Sequence, residues 1–342
     1  MGLEGLGGWP GLLSRLCAGE DLESDQAEAV LTEILSGEAE PVQIAAFLVA
    51  LKVKGETTDE TIGLVRAMVA AAEPLDLPDG TIDIVGTGGS PQRREKALNV
   101  STMACFVAAG AGAVVCKHGN RRASSTSGAF DLLDLLGLDI DVTSEQVAEQ
   151  VATHRLGFAF ARTFHPAMRF AGPVRAGIGI PTVFNVLGPL SHPGGVRRQL
   201  IGCADHSLGD RMVEVFRATG SVHTWVVTGH EALDEIAVTG PTRVLELRDG
   251  EVREFELDPS AHGIAIADPG DLPGGDPAEN AVIAAALFAG EERGPARDIV
   301  VLNAAAGLVV AGVADDLDAG IEAAAASIDD GSAAAVLEAL RA

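Results

Sequence analysis

Ile82-Asp83-Ile84-Val85-Gly86-Thr87-Gly88-Gly89-Ser90, followed by Asn99-Val100-Ser101-Thr102 and an alanine-rich run over 103–111, decides the fold. A β-branched strand empties into a glycine turn, and the turn leads into a helix. Backbone N–H groups left open by glycine, together with the positive end of a helix dipole, favour an anion such as phosphate. Further on, Lys117-His118-Gly119-Asn120-Arg121-Arg122-Ala123-Ser124-Ser125-Thr126-Ser127-Gly128 gathers cations, an imidazole, an amide and hydroxyls into one loop. Lys117 adds a compact, mobile positive charge.

Two familiar phosphate motifs are excluded by their spacing. A Walker A loop needs G-x-x-x-x-G-K-[ST], and no lysine follows either candidate glycine in that way. A dinucleotide fingerprint starting at Gly86 needs glycine or alanine at position 91, where Pro91 stands.

Outward from this stretch the chain has two textures. Residues 9–72 read as helices: Ala27, Val30, Leu31, Ile34 and Leu35 follow helical spacing, as do Ile44, Phe47, Leu48 and Leu51 after Pro41. Thr57-Thr58-Asp59-Glu60 is a capping box ahead of Ile62, Val65, Met68 and Val69. Pro74 to Gly80 breaks the pattern as a linker. Beyond it, short apolar runs at 82–85, 113–116, 157–160, 199–204, 223–228 and 299–302 alternate with helical segments, which implies a mostly parallel sheet covered by helices. The segment 243–256 reads instead as a β-hairpin turned at Asp249-Gly250. No internal repeat is visible.

With 342 residues the chain has room for two lobes, each able to bury a core. No apolar run approaches the roughly 20 residues of a membrane span. The start of the chain has neither a basic signal-peptide n-region nor a myristoylation pattern, so a cytoplasmic enzyme is expected. Cys17, Cys105, Cys116 and Cys203 are scattered among apolar neighbours, as buried free thiols are, and suggest neither disulfides nor zinc. A net charge of −25 argues against nucleic-acid and anionic-membrane partners. Between Pro91 and Arg122, however, Arg93, Arg94, Lys96, Lys117, Arg121 and Arg122 face only Glu95. An acidic chain has gathered its cations beside the glycine turn.

Taken in order, Asp83-Ile84-Val85-Gly86-Thr87-Gly88-Gly89, Asn99-Val100-Ser101-Thr102, Lys117-His118-Gly119-Asn120-Arg121, His165-Pro166-Ala167-Met168-Arg169, Phe184-Asn185-Val186-Leu187-Gly188-Pro189-Leu190, Leu233-Asp234-Glu235 and Asn303-Ala304-Ala305-Ala306 resemble the motifs of the anthranilate phosphoribosyltransferase family over nearly the whole chain. The resemblance implies an α/β fold of the nucleoside phosphorylase/phosphoribosyltransferase type. A small all-helical N-terminal domain over 1–76, with a later contribution from about 165–190, would accompany a large α/β domain over 81–342. It also implies a homodimer, and Mg²⁺-dependent transfer of the 5-phosphoribosyl group from phosphoribosyl pyrophosphate to anthranilate in tryptophan synthesis.

By the same resemblance Gly86, Thr87, Gly88, Gly89, Ser90, Asn99, Ser101, Thr102, Lys117, Ser125 and Ser127 would bind phosphoribosyl pyrophosphate. Gly86, His118, Asn120, Arg175, Gly188 and Pro189 would bind anthranilate, with Arg175 reading its carboxylate through a planar fork. Ser101, Asp234 and Glu235 would hold magnesium, which takes hard oxygen ligands. No general base is assigned, because the aromatic amine loses its proton readily as the new bond forms. The chain departs from the family at Ser90, where aspartate is usual, in a longer loop before Asn99, at Thr126 for lysine and at Ala129 for serine. A different aromatic acceptor, a pyrimidine nucleoside phosphorylase activity, and a non-catalytic nucleic-acid-binding relative are the competing readings.

Overall fold

A computed structural model describes residues 3–91, 96–121 and 126–342. The first helices, α1 (Gly8–Cys17), α2 (Ser24–Ser36), α3 (Pro41–Lys54) and α4 (Thr58–Ala70), form where the periodicity places them. Their starts are set by chemistry readable in the chain. Thr57 accepts from the Glu60 amide while Glu60 returns a bond to the Thr57 amide, and Pro41 occupies the first turn of α3. Their apolar stripes share one core with Ala171, Val183, Phe184 and Leu187, which lie on α9 (Met168–Ile178), just before α10 (Phe184–Leu190) and on α10 itself.

The remainder is built on one seven-stranded sheet, β1 (Ile82–Gly86), β2 (Val115–Gly119), β3 (Leu156–Phe160), β4 (Arg198–Gly202), β5 (His223–Thr228), β6 (Thr242–Arg248) and β7 (Glu251–Leu257), in the order β3-β2-β1-β4-β5-β6-β7. From β3 to β5 the strands are parallel; β6 and β7 run antiparallel and close the expected hairpin at Asp249-Gly250. One face carries α5 (Val100–Gly110) and α13 (Pro295–Ala311), with Ile82, Ile84, Val115 and Leu200 in their core. The other face buries Ile201, Val226 and Leu245 against the helical lobe.

Three expectations are corrected. The run 299–302 is not a strand but lies inside α13, where every residue from Ile299 to Val310 is buried. A helix buried on all sides shows no amphipathic period, so its β-branched run mimics a core strand. The second strand begins at Val115 rather than 113, because pairing with β1 and β3 starts there, after the α5 helix has ended in the turn Ala111-Gly112. Finally, Cys17 is exposed at the end of α1, whereas Cys105, Cys116 and Cys203 are buried thiols.

Candidate functional site

β1 pairs on one side with β2 and on the other with β4, so the strand order reverses there, and the crevice beyond the carboxyl ends of β1 and β4 is the topological switch point of the sheet. Gly86 ends β1 and Gly202 ends β4, and the chain after β5 returns to lay Asp234 across both. A Cβ on Gly86 would stand 2.6 Å from Asp234 Oδ2, and one on Gly202 would overlap the Asp234 carbonyl. Glycine is needed at these positions for close approach. The Gly88 amide donates to Asp234 Oδ2 at 2.8 Å, and the Thr87 amide donates to the Gly202 carbonyl at 2.8 Å. Gly88 and Gly89 take positive φ, 71° and 86°, as the turn requires.

A cavity of about 220 Å³ opens above this turn. It is lined by Gly86 to Ser90, Asn99, Ser101, Thr102, Lys117, His118, Asn120, Ser127 and Asp234 among others. The first turn of α5 points into it without a side-chain cap of its own: Asn99 instead accepts from Ser127 Oγ at 2.7 Å, tying the two loops together. Uncapped N–H groups at a helix N-terminus are what an anion needs. Lys117 is 1% exposed, and its Nζ donates to the Ile84 carbonyl at 2.5 Å and to Ser101 Oγ at 3.2 Å. Thr126, which stands where the family often has lysine, accepts from the Ala97 amide at 3.2 Å and donates to the Gly275 carbonyl at 2.7 Å, so its hydroxyl works as a stitch between loops.

The opposite wall is made of imidazoles. His118 Nδ1 lies 3.1 Å from the Gly188 carbonyl, which fixes the donor on Nδ1, and its ring sits 5.1 Å from His165 and 5.7 Å from His192. His192 Nε2 donates to the Cys116 carbonyl and its Nδ1 accepts from the Gly194 amide. Burial holds all three rings neutral, His118 well below the usual histidine value and His165 and His192 at about 4. Beneath them Asp83, fully buried, accepts from the His118 amide at 3.3 Å. Burial pushes its carboxyl up to about 7 against the pull of Lys117.

The structure therefore brings together nearly all of the phosphate-side residues anticipated from sequence. Ser125 lies outside the described residues, as do Arg93, Arg94 and Arg122. On the acceptor side it joins Gly86, His118, Asn120 and, through its carbonyl, Gly188; Pro189 is buried and accepts from Gln199 at 3.1 Å. Arg175 is not among the residues lining this cavity: half-buried on α9, its guanidinium stands 5.0 Å above the Phe184 ring. The adjacent carboxylates divide. Asp234 lines the glycine-turn cavity, while Glu235 lines a second one of about 480 Å³ with Lys96, Leu98, Val100 and Glu231. Leu98 and Val100 face the second cavity while Asn99, Ser101 and Thr102 face the first, so segment 98–102 is the wall between them. His192 and the use of Asn303 described below were not anticipated. A histidine between serine and proline carries no local pattern, and its partner Cys116 lies on a strand far away in the chain.

The chain matches the family model "Glycosyl transferase family, helical bundle domain" over residues 10–72 and "Glycosyl transferase family, a/b domain" over 79–334. A protein of Nocardioides sp. named anthranilate phosphoribosyltransferase is 48% identical, over 96% of this chain and 97% of its own length. One of the same name from Rubrobacter xylanophilus is 44% identical, over 95% and 94%. This chain belongs to the anthranilate phosphoribosyltransferase family. Its fold agrees with that of the family member solved from Thermus thermophilus, with a TM-score of 0.90 and 40% identity over 97% of this chain and 99% of that one. The Saccharomyces cerevisiae member, solved in complex with PRPP and Mg, superposes with a TM-score of 0.87 at 30% identity, over 96% of each chain. No described helix is long and apolar enough to cross a membrane.

Proposed function

We propose that the chain transfers the 5-phosphoribosyl group from phosphoribosyl pyrophosphate to the amine of anthranilate, giving N-(5-phosphoribosyl)anthranilate and pyrophosphate for tryptophan synthesis. The observation that carries this reading is the convergence, at the switch point of the sheet, of an open glycine turn, an uncapped helix N-terminus and buried Lys117 with Asp234 beside them. Nothing in packing alone calls for that set.

In this reading the bond from ribose C1 to pyrophosphate breaks as the amine nitrogen bonds to C1, and the amine proton leaves to solvent. Charge develops on the departing pyrophosphate, so stabilisation comes from donors already in place. Gly89, Ser90 and the first turn of α5 offer amides, Asn99, Thr102, Ser127 and, by resemblance, Ser125 offer polar side chains, and Lys117 offers its ammonium. The neutral His118 places no added cation against an oxocarbenium-like ribose. His118, Asn120, Gly188, Pro189 and Arg175 form the acceptor side, Arg175 reading the carboxylate. Ser101 and Asp234 on the glycine-turn side of the 98–102 wall, and Glu235 on its other side, are the hard oxygen donors suited to Mg²⁺. Among the described residues no three carboxylate, histidine or cysteine side chains are placed to hold a metal ion between them, and Mg²⁺ commonly keeps waters and substrate oxygens in its shell. Bound there, Mg²⁺ would neutralise pyrophosphate charge.

The test is direct: incubate the protein with phosphoribosyl pyrophosphate, Mg²⁺ and anthranilate and follow anthranilate fluorescence. Loss dependent on all three components is expected. Persistence of the signal while another aromatic amine is consumed would overturn the acceptor assignment.

Two further parts of the reading concern organisation. We place the division between helical and α/β parts in 77–80, between the helical residues 1–76 and the α/β residues 81–342, supported by the family-model matches that end at 72 and begin at 79. We assign a homodimer, supported by the exposed stripe Val42, Val49 and Val53 on α3, of which Val42 and Val53 are 74% and 82% exposed. Light scattering should give a dimer for the native chain and a monomer for Val42→Asp with Val53→Asp.

A further inference from the structure

The motif Asn303-Ala304-Ala305-Ala306 is part of the family resemblance, yet nothing so far gives it chemistry. Asn303 is 3% exposed on α13. Its Oδ1 accepts from the Ile236 amide at 3.0 Å, and its Nδ2 donates to the Ile236 carbonyl at 2.9 Å and to the Ile299 carbonyl at 2.8 Å. One N–H and two carbonyls around the side chain fix which atom is oxygen and which nitrogen, since the flipped amide would face all three with the wrong polarity.

The amide clasps the residue immediately after Asp234 and Glu235. That stretch needs it. After the bridge between Gly229 and Leu233 the chain leaves the sheet, yet Asp234, Glu235, Ile236, Ala237 and Val238 are between 0% and 4% exposed. Buried backbone groups with no ladder must find partners elsewhere. At Ile236 both are supplied by Asn303, and the next amide, of Ala237, donates to Thr242 Oγ1 at 3.0 Å. One turn along the same face of α13, Gly307 lets the helix lie against β1: a Cβ there would come 2.7 Å from Ile84 Cδ1. Through α13 the carboxylate segment is thus held in register with the strand that ends in the glycine turn.

We propose that Asn303 is a positioning residue for the metal carboxylates, holding the backbone at Ile236 so that Asp234 and Glu235 stand where the ion and pyrophosphate require them. This rests on the reading of those carboxylates as Mg²⁺ ligands. Groups that orient metal ligands from behind commonly contribute about 10–100-fold to metal affinity or activity.

The experiment compares wild type, Asn303→Ala and Asp234→Asn. Mn²⁺ binding in the presence of phosphoribosyl pyrophosphate is followed by loss of the free-Mn²⁺ electron paramagnetic resonance signal, beside Mg²⁺-dependent turnover and thermal melting. Asn303→Ala should weaken Mn²⁺ binding by about tenfold or more and lower turnover in a way that excess Mg²⁺ partly restores, with the anthranilate KM within about twofold. If Asn303→Ala melts below the assay temperature, Asn303→Ser, whose hydroxyl can serve one group of Ile236, carries the same comparison. Wild-type Mn²⁺ affinity in the folded variant, or a turnover loss that excess Mg²⁺ leaves untouched, would overturn the positioning role. Wild-type Mn²⁺ affinity in Asp234→Asn would instead overturn the ligand reading on which it stands.

Discussion

Adding one methyl group at Gly86 tests whether Asp234 must stand against the end of β1. The new Cβ would lie 2.6 Å from Asp234 Oδ2, 3.1 Å from its carbonyl oxygen and 3.4 Å from its Cγ. An ordinary contact is roughly 3.4 Å, so the carboxylate must retreat by about 0.8 Å. It cannot swing freely, because Oδ2 is held by the Gly88 amide and the backbone behind it by Asn303. Displacement of a reacting group by about 1 Å costs on the order of a hundredfold in rate, or about 2.7 kcal/mol of barrier. Overpacking itself costs about 1–3 kcal/mol of stability. Gly86→Ala should therefore fold, melt a few degrees lower, and turn over anthranilate roughly 30- to 100-fold more slowly in the fluorescence assay. Gly202→Ala, whose Cβ meets the Asp234 backbone instead of a side-chain oxygen, should be worse in both respects. Wild-type turnover by Gly86→Ala, or a milder effect from Gly202→Ala, would refute the claim that these two glycines exist to seat Asp234.

Lys117→Met keeps length and loses charge, and should raise the phosphoribosyl pyrophosphate KM about tenfold to a hundredfold, the worth of one charge-assisted contact, while the anthranilate KM stays near wild type. Arg175→Ala should do the reverse, raising the anthranilate KM alone; equal damage to both substrates would mean that Arg175 serves the packing of α9 on Phe184. The third expectation concerns pH. His165 and His192 at about 4, and His118 held well below its usual value by burial, stay neutral in the fold while the unfolded chain protonates near 6.5, so stability falls as pH drops from about 6.5 to 4. Asp83, raised from 3.8 to about 7, opposes this: its buried charge costs stability above 7, and the cost disappears on acidification towards 4. Three histidines outweigh one carboxyl, so thermal unfolding should show stability lost on acidification through that window, and Asp83→Asn should steepen the loss. A shallower slope in Asp83→Asn would sink the assignment.

Much of this molecule was legible because its signals are local. Thr57 and Glu60 announce α4, Asp249-Gly250 announces the hairpin, and Ile82 to Ser90 announces a strand and the glycine turn under the cavity. Illegible parts are those whose cause lies far along the chain. Ile299 to Leu302 is helical because the α13 helix is surrounded, and nothing within those residues says so. His192 joins the imidazole wall where β2 presents the Cys116 carbonyl to it, 76 residues away in the chain. The separation of Asp234 from Glu235 into two cavities follows from the wall at 98–102, again remote in sequence.

The pairing of Lys117 with His118 shows how local and remote causes combine. On β2, as on any strand, successive side chains leave on opposite faces. Lys117 therefore reaches towards α5, to the Ile84 carbonyl and Ser101, while His118 turns to the helical side, to Gly188, His165 and His192. Two adjacent residues thereby serve two walls of one cavity, a cationic wall suited to phosphate and a neutral wall suited to an aromatic acceptor. A register slip of one residue would exchange the walls and bury the ammonium among imidazoles. Pairing of β2 with β3 from Val115 to Gly119, and with β1 at Val115, prevents that slip. The order Lys-His is consequently not interchangeable with His-Lys, even though both carry the same residues into the same strand.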